Sequence, residues 1–189
     1  MRIAALAFIL AVTALIAPAR ADATSQQRIE ASRAVIGDFA TRLKGALTAE
    51  IERTGPPGAV AVCRDTAPAI AAEASAKTGW VVGRTSLKTR NPDNAPDAWE
   101  REILEEFAAR RMAGEDPAGM DAWTIVNRDG RQQFRYMKAI PTASLCLTCH
   151  GTNIDPTVKK AIDDAYPADV ATGYGEGDVR GAFTITQPR

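Results

Sequence analysis

The sequence predicts an α+β domain: an antiparallel sheet of about five strands, flanking helices and a long N-terminal helix. Two observations carry this. A single helical stretch of some thirty residues, 24–53, precedes every strand signal. Two β-prone runs then flank Asp129-Gly130, a dipeptide that favours the tight turn of a hairpin, and a further β-prone run ends the chain. Strand-forming and helix-forming segments in that arrangement suit helices packed on an antiparallel sheet.

The first element is a removable leader. Met1-Arg2 is a short basic start, Ile3 to Ala17 is apolar except for Thr13, and Ala19-Arg20-Ala21 has the small-x-small form of a signal-peptidase site. Cleavage is expected before Asp22, giving a leader of 1–21 and one domain of 22–189. An apolar run of about 15 residues is short of the roughly 20 needed to span a bilayer. The expected location is therefore the periplasm, with no stable membrane insertion once the leader is gone. The chain has 189 residues, with 23 basic and 23 acidic side chains. Without the leader, 168 residues carry 21 basic and 23 acidic groups, a net charge of −2. That length suits one domain with a real core, and that charge argues against nucleic acid, which calls for a basic face.

The helix over 24–53 has Ile29, Ile36, Leu43 and Glu50 seven apart, with Ser32, Phe39 and Leu47 near the same face. Its stripe is narrow at the start, so the first turns are expected to project from the body. Gly55-Pro56-Pro57-Gly58 should stop it. Ala59 to Cys63 suits either strand or helix. Thr66 is expected to cap an Ala-rich helix that ends at Gly79. Trp80 to Arg84 reads as a strand, 91–96 as a loop, and Asp97 as the cap of a helix to about Ala113 with Trp99, Ile103 and Phe107 on one face. The hairpin follows, as Ala122 to Asn127 and Arg131 to Ile140. A short helix over 157–165, a flexible loop containing Gly173, Gly175 and Gly177, and a strand from Val179 to Thr186 complete the chain.

The chemistry lies in Cys146-Leu147-Thr148-Cys149-His150, a C-x-x-C-H motif. Two thiols at this spacing can add across the two vinyl groups of haem as thioethers, and the following histidine is placed to bind the iron. Such attachment takes place outside the cytoplasm, in agreement with the leader. A Cys146–Cys149 disulfide would also suit an oxidising compartment. A thioredoxin-like site would need a βαβ setting. Zinc would need four ligands, and the chain has three cysteines and one histidine in all. The expected cofactor is one covalently attached haem c.

His150 is the only histidine, so the opposite axial position falls to Met112, Met120, Met137, Cys63, a lysine, a tyrosine or water. Methionine is the usual second ligand of electron-carrying c cytochromes. Arg84, Lys88 and Arg90 form a basic cluster able to bind haem propionates by charge-assisted hydrogen bonds. Trp80, Trp99, Trp123, Tyr166 and Tyr174 are candidate pocket aromatics.

Taken together, several segments resemble a family of haem-binding domains with a PAS-like fold, first catalogued as a domain of unknown function. It is found as c-type cytochromes and as the sensory part of histidine kinases. The matching segments are Ala59 to Cys63 with Ala67-Pro68, Gly83 to Pro92, Trp99-Glu100, Cys146 to Gly151, and Tyr166 to Asp169 through Gly173 to Gly181. The resemblance implies a cysteine thiolate as the second axial ligand, and the matching residue is Cys63. An anionic thiolate favours ferric iron and a low potential. The chain is therefore expected to be a non-enzymatic, mono-haem cytochrome that transfers electrons to a protein partner or senses redox state. The alternatives are a haem-based gas or redox sensor module that signals to a partner, or a haem-free thiol oxidoreductase.

Overall fold

The computed structural model describes residues 17–188, with side chains from residue 24 onward. Residues 1–16 of the expected leader lie outside the described residues. Among the described residues no helix is long and apolar enough to cross a membrane.

The architecture is α+β, built on four antiparallel strands: β1 (Val81–Thr85), β2 (Asp121–Arg128), β3 (Arg131–Pro141) and β4 (Val179–Pro188). Their spatial order is β1-β4-β3-β2. The expected sheet of about five strands is thus one strand smaller, because the Ala59–Cys63 run is helical. The hairpin forms where expected. Arg128 pairs with Arg131, and Asp129 and Gly130 both take positive φ, 53° and 74°, as the turn that matches strand twist requires.

Element α1 (Ala17–Ala61) is two helical segments joined at a kink: the first ends at Gly55, within the expected stop, and the second begins directly after it. Gly55 takes φ 78° and ψ 174°, and Pro56 and Pro57 then open a new helical segment at a changed angle. That segment passes through a π turn (Val62–Thr66) into α2 (Ala67–Thr78). Thr66 is itself helical and makes no side-chain cap, contrary to expectation, because the chain enters α2 from helix rather than from loop. Gly79 does end α2, in the left-handed conformation.

The first turns of the helix expected from residue 24 do not project: Ser25, Ile29, Ser32, Ile36 and Phe39 are buried, and Ile29, Ile36 and Phe39 pack with residues of the sheet. Gln187 donates to Ser32 Oγ at 2.8 Å, and Arg33 and Tyr136 converge on Asp121 at 2.5 and 2.7 Å. Ser32, fully buried but hydrogen-bonded, fills the gap that made the stripe look narrow. It is the second half of α1, past Phe39, that stands clear of the sheet and offers Leu43, Leu47 and Ile51 to a cavity.

Helices cover both sheet faces. On one, α1 and α2 pack Ile36, Phe39 and Ile70 onto Phe134, Tyr136, Phe183 and Ile185. On the other, α3 (Ala98–Met112) packs Leu104 and Phe107 onto Met137, Ala139 and Ala182. Asp97 caps α3 as expected, in a reciprocal box with Glu100. The motif helix α4 (Ser144–His150) and α5 (Pro156–Ala165) follow β3, and α5 packs Val158 and Ile162 on Val60. The end of β1, the end of β3 and the start of β4 meet at one end of the sheet. The cavity is lined by that end, α4 and the second half of α1.

Candidate functional site: a cavity facing the C-x-x-C-H helix

The cavity holds about 200 Å³ of internal space and opens to solvent through a wide mouth. Cys63, Cys146, Cys149, His150, Arg84 and Arg90 all line it. One wall is hydrocarbon, from Leu43, Leu47 and Ile51. Polar lining comes from Ser86, Asn91 and Asn94 together with Arg84.

The histidine side is heavily bonded. His150 is the last residue of α4, and Gly151 closes the helix with its N–H on Leu147 O at 2.9 Å. A Cβ at position 151 would stand 2.6 Å from that oxygen, so glycine is required there. His150 Nδ1 lies 2.7 Å from Ala171 O and 3.2 Å from Arg180 Nε. Both cannot be hydrogen bonds, since the carbonyl only accepts and the guanidinium only donates. The shorter contact fixes the tautomer: Nδ1–H donates to Ala171, and Nε2 keeps its lone pair. Burial, then Arg180 and Arg90, push the imidazole down to about 2. It is therefore neutral at physiological pH, as a metal ligand must be.

Around it, Arg90 is buried and forked onto Asp169 at 3.1 and 3.2 Å, and donates to Cys149 O at 2.6 Å. Asp169 also accepts the Ala171 N–H at 2.9 Å. One ion pair thus fixes both the second cysteine and the carbonyl that orients His150. The glycine loop expected to be flexible is tied here too. Gly173 N–H donates to Gly151 O at 2.9 Å, Tyr174 N–H to His150 O at 3.0 Å, and Gly177 N–H to Thr142 O at 2.8 Å.

The opposite side is sparser. Cys63 sits on the π turn, half-buried, and among the described residues makes no hydrogen bond or disulfide. Tyr166 is pushed up to about 12 by burial first and Cys63 second. Burial holds Arg84 below its ordinary value, against the opposing pull of Cys63 and Tyr166. These three groups line the same cavity. Burial also raises the Cys149 thiol. Cys63, Cys146 and Cys149 are all free thiols. Among the described residues no three His, Cys, Asp or Glu side chains converge as they would on a bare metal ion.

The other candidates fall elsewhere. Met120 and Met137 are fully buried beside Phe107, and Met112 is 85% exposed. Trp80 packs on the main core, Trp99 lies under Arg135, and Trp123 stacks on Phe134. Lys88 is outside the cavity wall: its Nζ donates to Thr172 O and stands 5.0 Å over the Tyr174 ring. Arg180, by contrast, does line the cavity and carries no signal in the sequence, where it is one basic residue at the start of a strand.

A haem with one edge of hydrocarbon and one of carboxylate suits this mixed lining. Two thiols lie beside a neutral histidine with a free Nε2, and a third thiol, Cys63, lines the same cavity.

No curated protein matches the chain. Among solved structures, the crystal structure of the cyanobacterial haem-protein Tll0287 is similar, with a TM-score of 0.67 and 25% identity over 86% of this chain and 96% of that one. The pattern of the Tll0287-like domain matches residues 14–188. Both likenesses run through the sheet, the helices and the cavity, and the chain belongs to the Tll0287-like family.

Proposed function

We propose that the chain is a periplasmic mono-haem c-type cytochrome that works by low-potential electron transfer or redox sensing. Cys146 and Cys149 hold the haem covalently, and His150 and Cys63 take the two axial positions. Haem supplies a one-electron ferric/ferrous couple; the chain supplies attachment, ligands and shelter from water. The observation that carries the reading is His150, whose Nδ1–H is spent on Ala171 O while Nε2 faces a cavity shared with three thiols. The family's haem-protein supports the same cofactor. A Cys63 thiolate would stabilise ferric over ferrous iron and set a low potential. With both axial positions filled by the chain, no coordination site remains for a substrate, so the reading is of a carrier rather than an enzyme.

The sensor alternative has one observation in its favour. Cys63 stands on a π turn, an irregularity common at functional sites, and lacks the bonds that lock His150. Such a ligand can leave on reduction and admit a diatomic gas.

The test is a denaturing gel stained for haem, on protein matured in a host that attaches haem c. The expected result is a stained wild-type band, with staining weakened or lost in Cys146→Ser and Cys149→Ser. An unstained wild-type band contradicts the reading. N-terminal sequencing of the same material should begin at or near Asp22; retained residues 3–17 would contradict the periplasmic placement.

A further inference from the structure

We propose that Arg84 and Arg180 are the partners of the two haem carboxylates, one arginine to each. The inference rests on the haem reading above and deepens it.

Three arginines line the cavity: Arg84, Arg90 and Arg180. No acidic side chain lines it. Arg90 is neutralised by Asp169 within a pair whose side chains are 7% and 3% exposed, and its donors are committed to backbone carbonyls. The other two have no such partner. Among the described residues the Arg84 side chain makes no hydrogen bond and no ion pair; it lies 5.8 Å over the Phe39 ring and near Cys63 and Tyr166. Arg180 reaches only neutral groups: Ser86 Oγ at 2.9 Å, Lys88 O at 3.3 Å, His150 Nδ1 at 3.2 Å and the Tyr174 ring at 5.3 Å. Both side chains are half-buried, and a partly desolvated cation without a counter-charge carries a cost. Two of them lining one cavity call for a ligand that brings two negative charges to it.

The charge count closes with haem. A ferric porphyrin carries one net positive charge, which a Cys63 thiolate would balance, and its two carboxylates would balance Arg84 and Arg180. Arginine suits this work, because its planar fork matches a carboxylate with two parallel bonds. The two cations also flank the cavity from different strands. Arg84 is in β1 and pairs with Phe183 of β4, whereas Arg180 lies at the start of β4 beside Ser86. Lys88, outside the wall, and Arg90, already paired, are thereby removed from the propionate cluster that the sequence suggests, and Arg180 enters it.

The test uses the full chain matured with haem. Arg84→Gln, Arg180→Gln and the double variant are compared with wild type and with Lys88→Gln. The readouts are the propionate bending bands in resonance Raman spectra and the midpoint potential. Each single Gln variant is expected to shift one propionate component and lower the potential, since removing a nearby positive charge favours ferric iron. The double variant should shift both components, and Lys88→Gln neither. Arg84→Lys and Arg180→Lys should recover part of the potential, which separates charge from packing. Haem-stained Gln single variants with unmoved propionate bands and potential overturn the inference. It is also overturned by a Lys88→Gln shift as large as theirs. An unstained wild type contradicts the haem reading itself, and this inference with it.

Discussion

The two sides of the cavity are built in opposite ways. On the histidine side, a buried ion pair, three backbone bonds from the glycine loop to His150, Gly151 and Thr142, and a carbonyl on Nδ1 leave the ring one orientation. On the cysteine side, Cys63 rides a π turn eight residues beyond the Gly55 kink and makes no hydrogen bond among the described residues. The contrast teaches that the fold fixes the His150 side and leaves the Cys63 side adaptable. On the proposed reading, the rigid side would preserve geometry through a redox cycle and the adaptable side would let ligation respond to it.

The sharpest way to break the contrast is through Asp169. Asp169→Ala strands a buried Arg90 and should destabilise the protein by about 3–5 kcal/mol, read by chemical denaturation. A cost below about 1 kcal/mol would mean that the histidine side is held by something other than this pair. A smaller effect is expected on the cysteine side. Gly55→Ala forces a side chain into positive φ and should cost about 1–2 kcal/mol. Because the kink aims the Cys63 segment, the variant should also alter the ferric spectrum. A Gly55→Ala protein of full stability and unchanged spectrum would show that the kink does not position Cys63.

The smallest effect lies away from both sides. Burial opposes ionisation of Asp121, but the Tyr136 and Arg33 hydrogen bonds outweigh it and hold the carboxyl below its usual value. Its contribution is therefore present above the ordinary carboxylate value of about 4 and is lost as the pH falls through its depressed value. Asp121→Asn should cost about 1 kcal/mol at neutral pH. The difference from wild type should close in acid, with the haem spectrum unchanged throughout. A difference that instead widens in acid would contradict this assignment.

The parts of this molecule that local chemistry dictates were legible in its sequence. Asp129-Gly130 specifies its turn, Asp97 with Glu100 its cap, and Cys146 to His150 a site. What escaped depended on tertiary partners. Ser32 reads as a break in an apolar stripe until Gln187 supplies its hydrogen bond. Gly55 and two prolines read as a stop, yet only one residue leaves the helix and the Pro pair restarts it. Arg90 reads like Arg84 in sequence, and only the fold brings Asp169 to one and leaves the other unpaired. Arg180 has no local signature at all, since its role comes from a strand pairing 94 residues away from Ser86.

The central claim is that Cys63 and His150 hold one iron between them. The most direct measurement is the ferric paramagnetic-resonance spectrum of wild type and of Cys63→Ala, each with haem held by Cys146 and Cys149. The account predicts a thiolate signature in wild type that Cys63→Ala abolishes while raising the potential. Met112→Leu, Met120→Leu and Met137→Leu should leave both unchanged, because bulk is kept and only the sulfur is lost. A Cys63→Ala protein with the wild-type spectrum and potential would contradict the account and make Cys63 a packing residue.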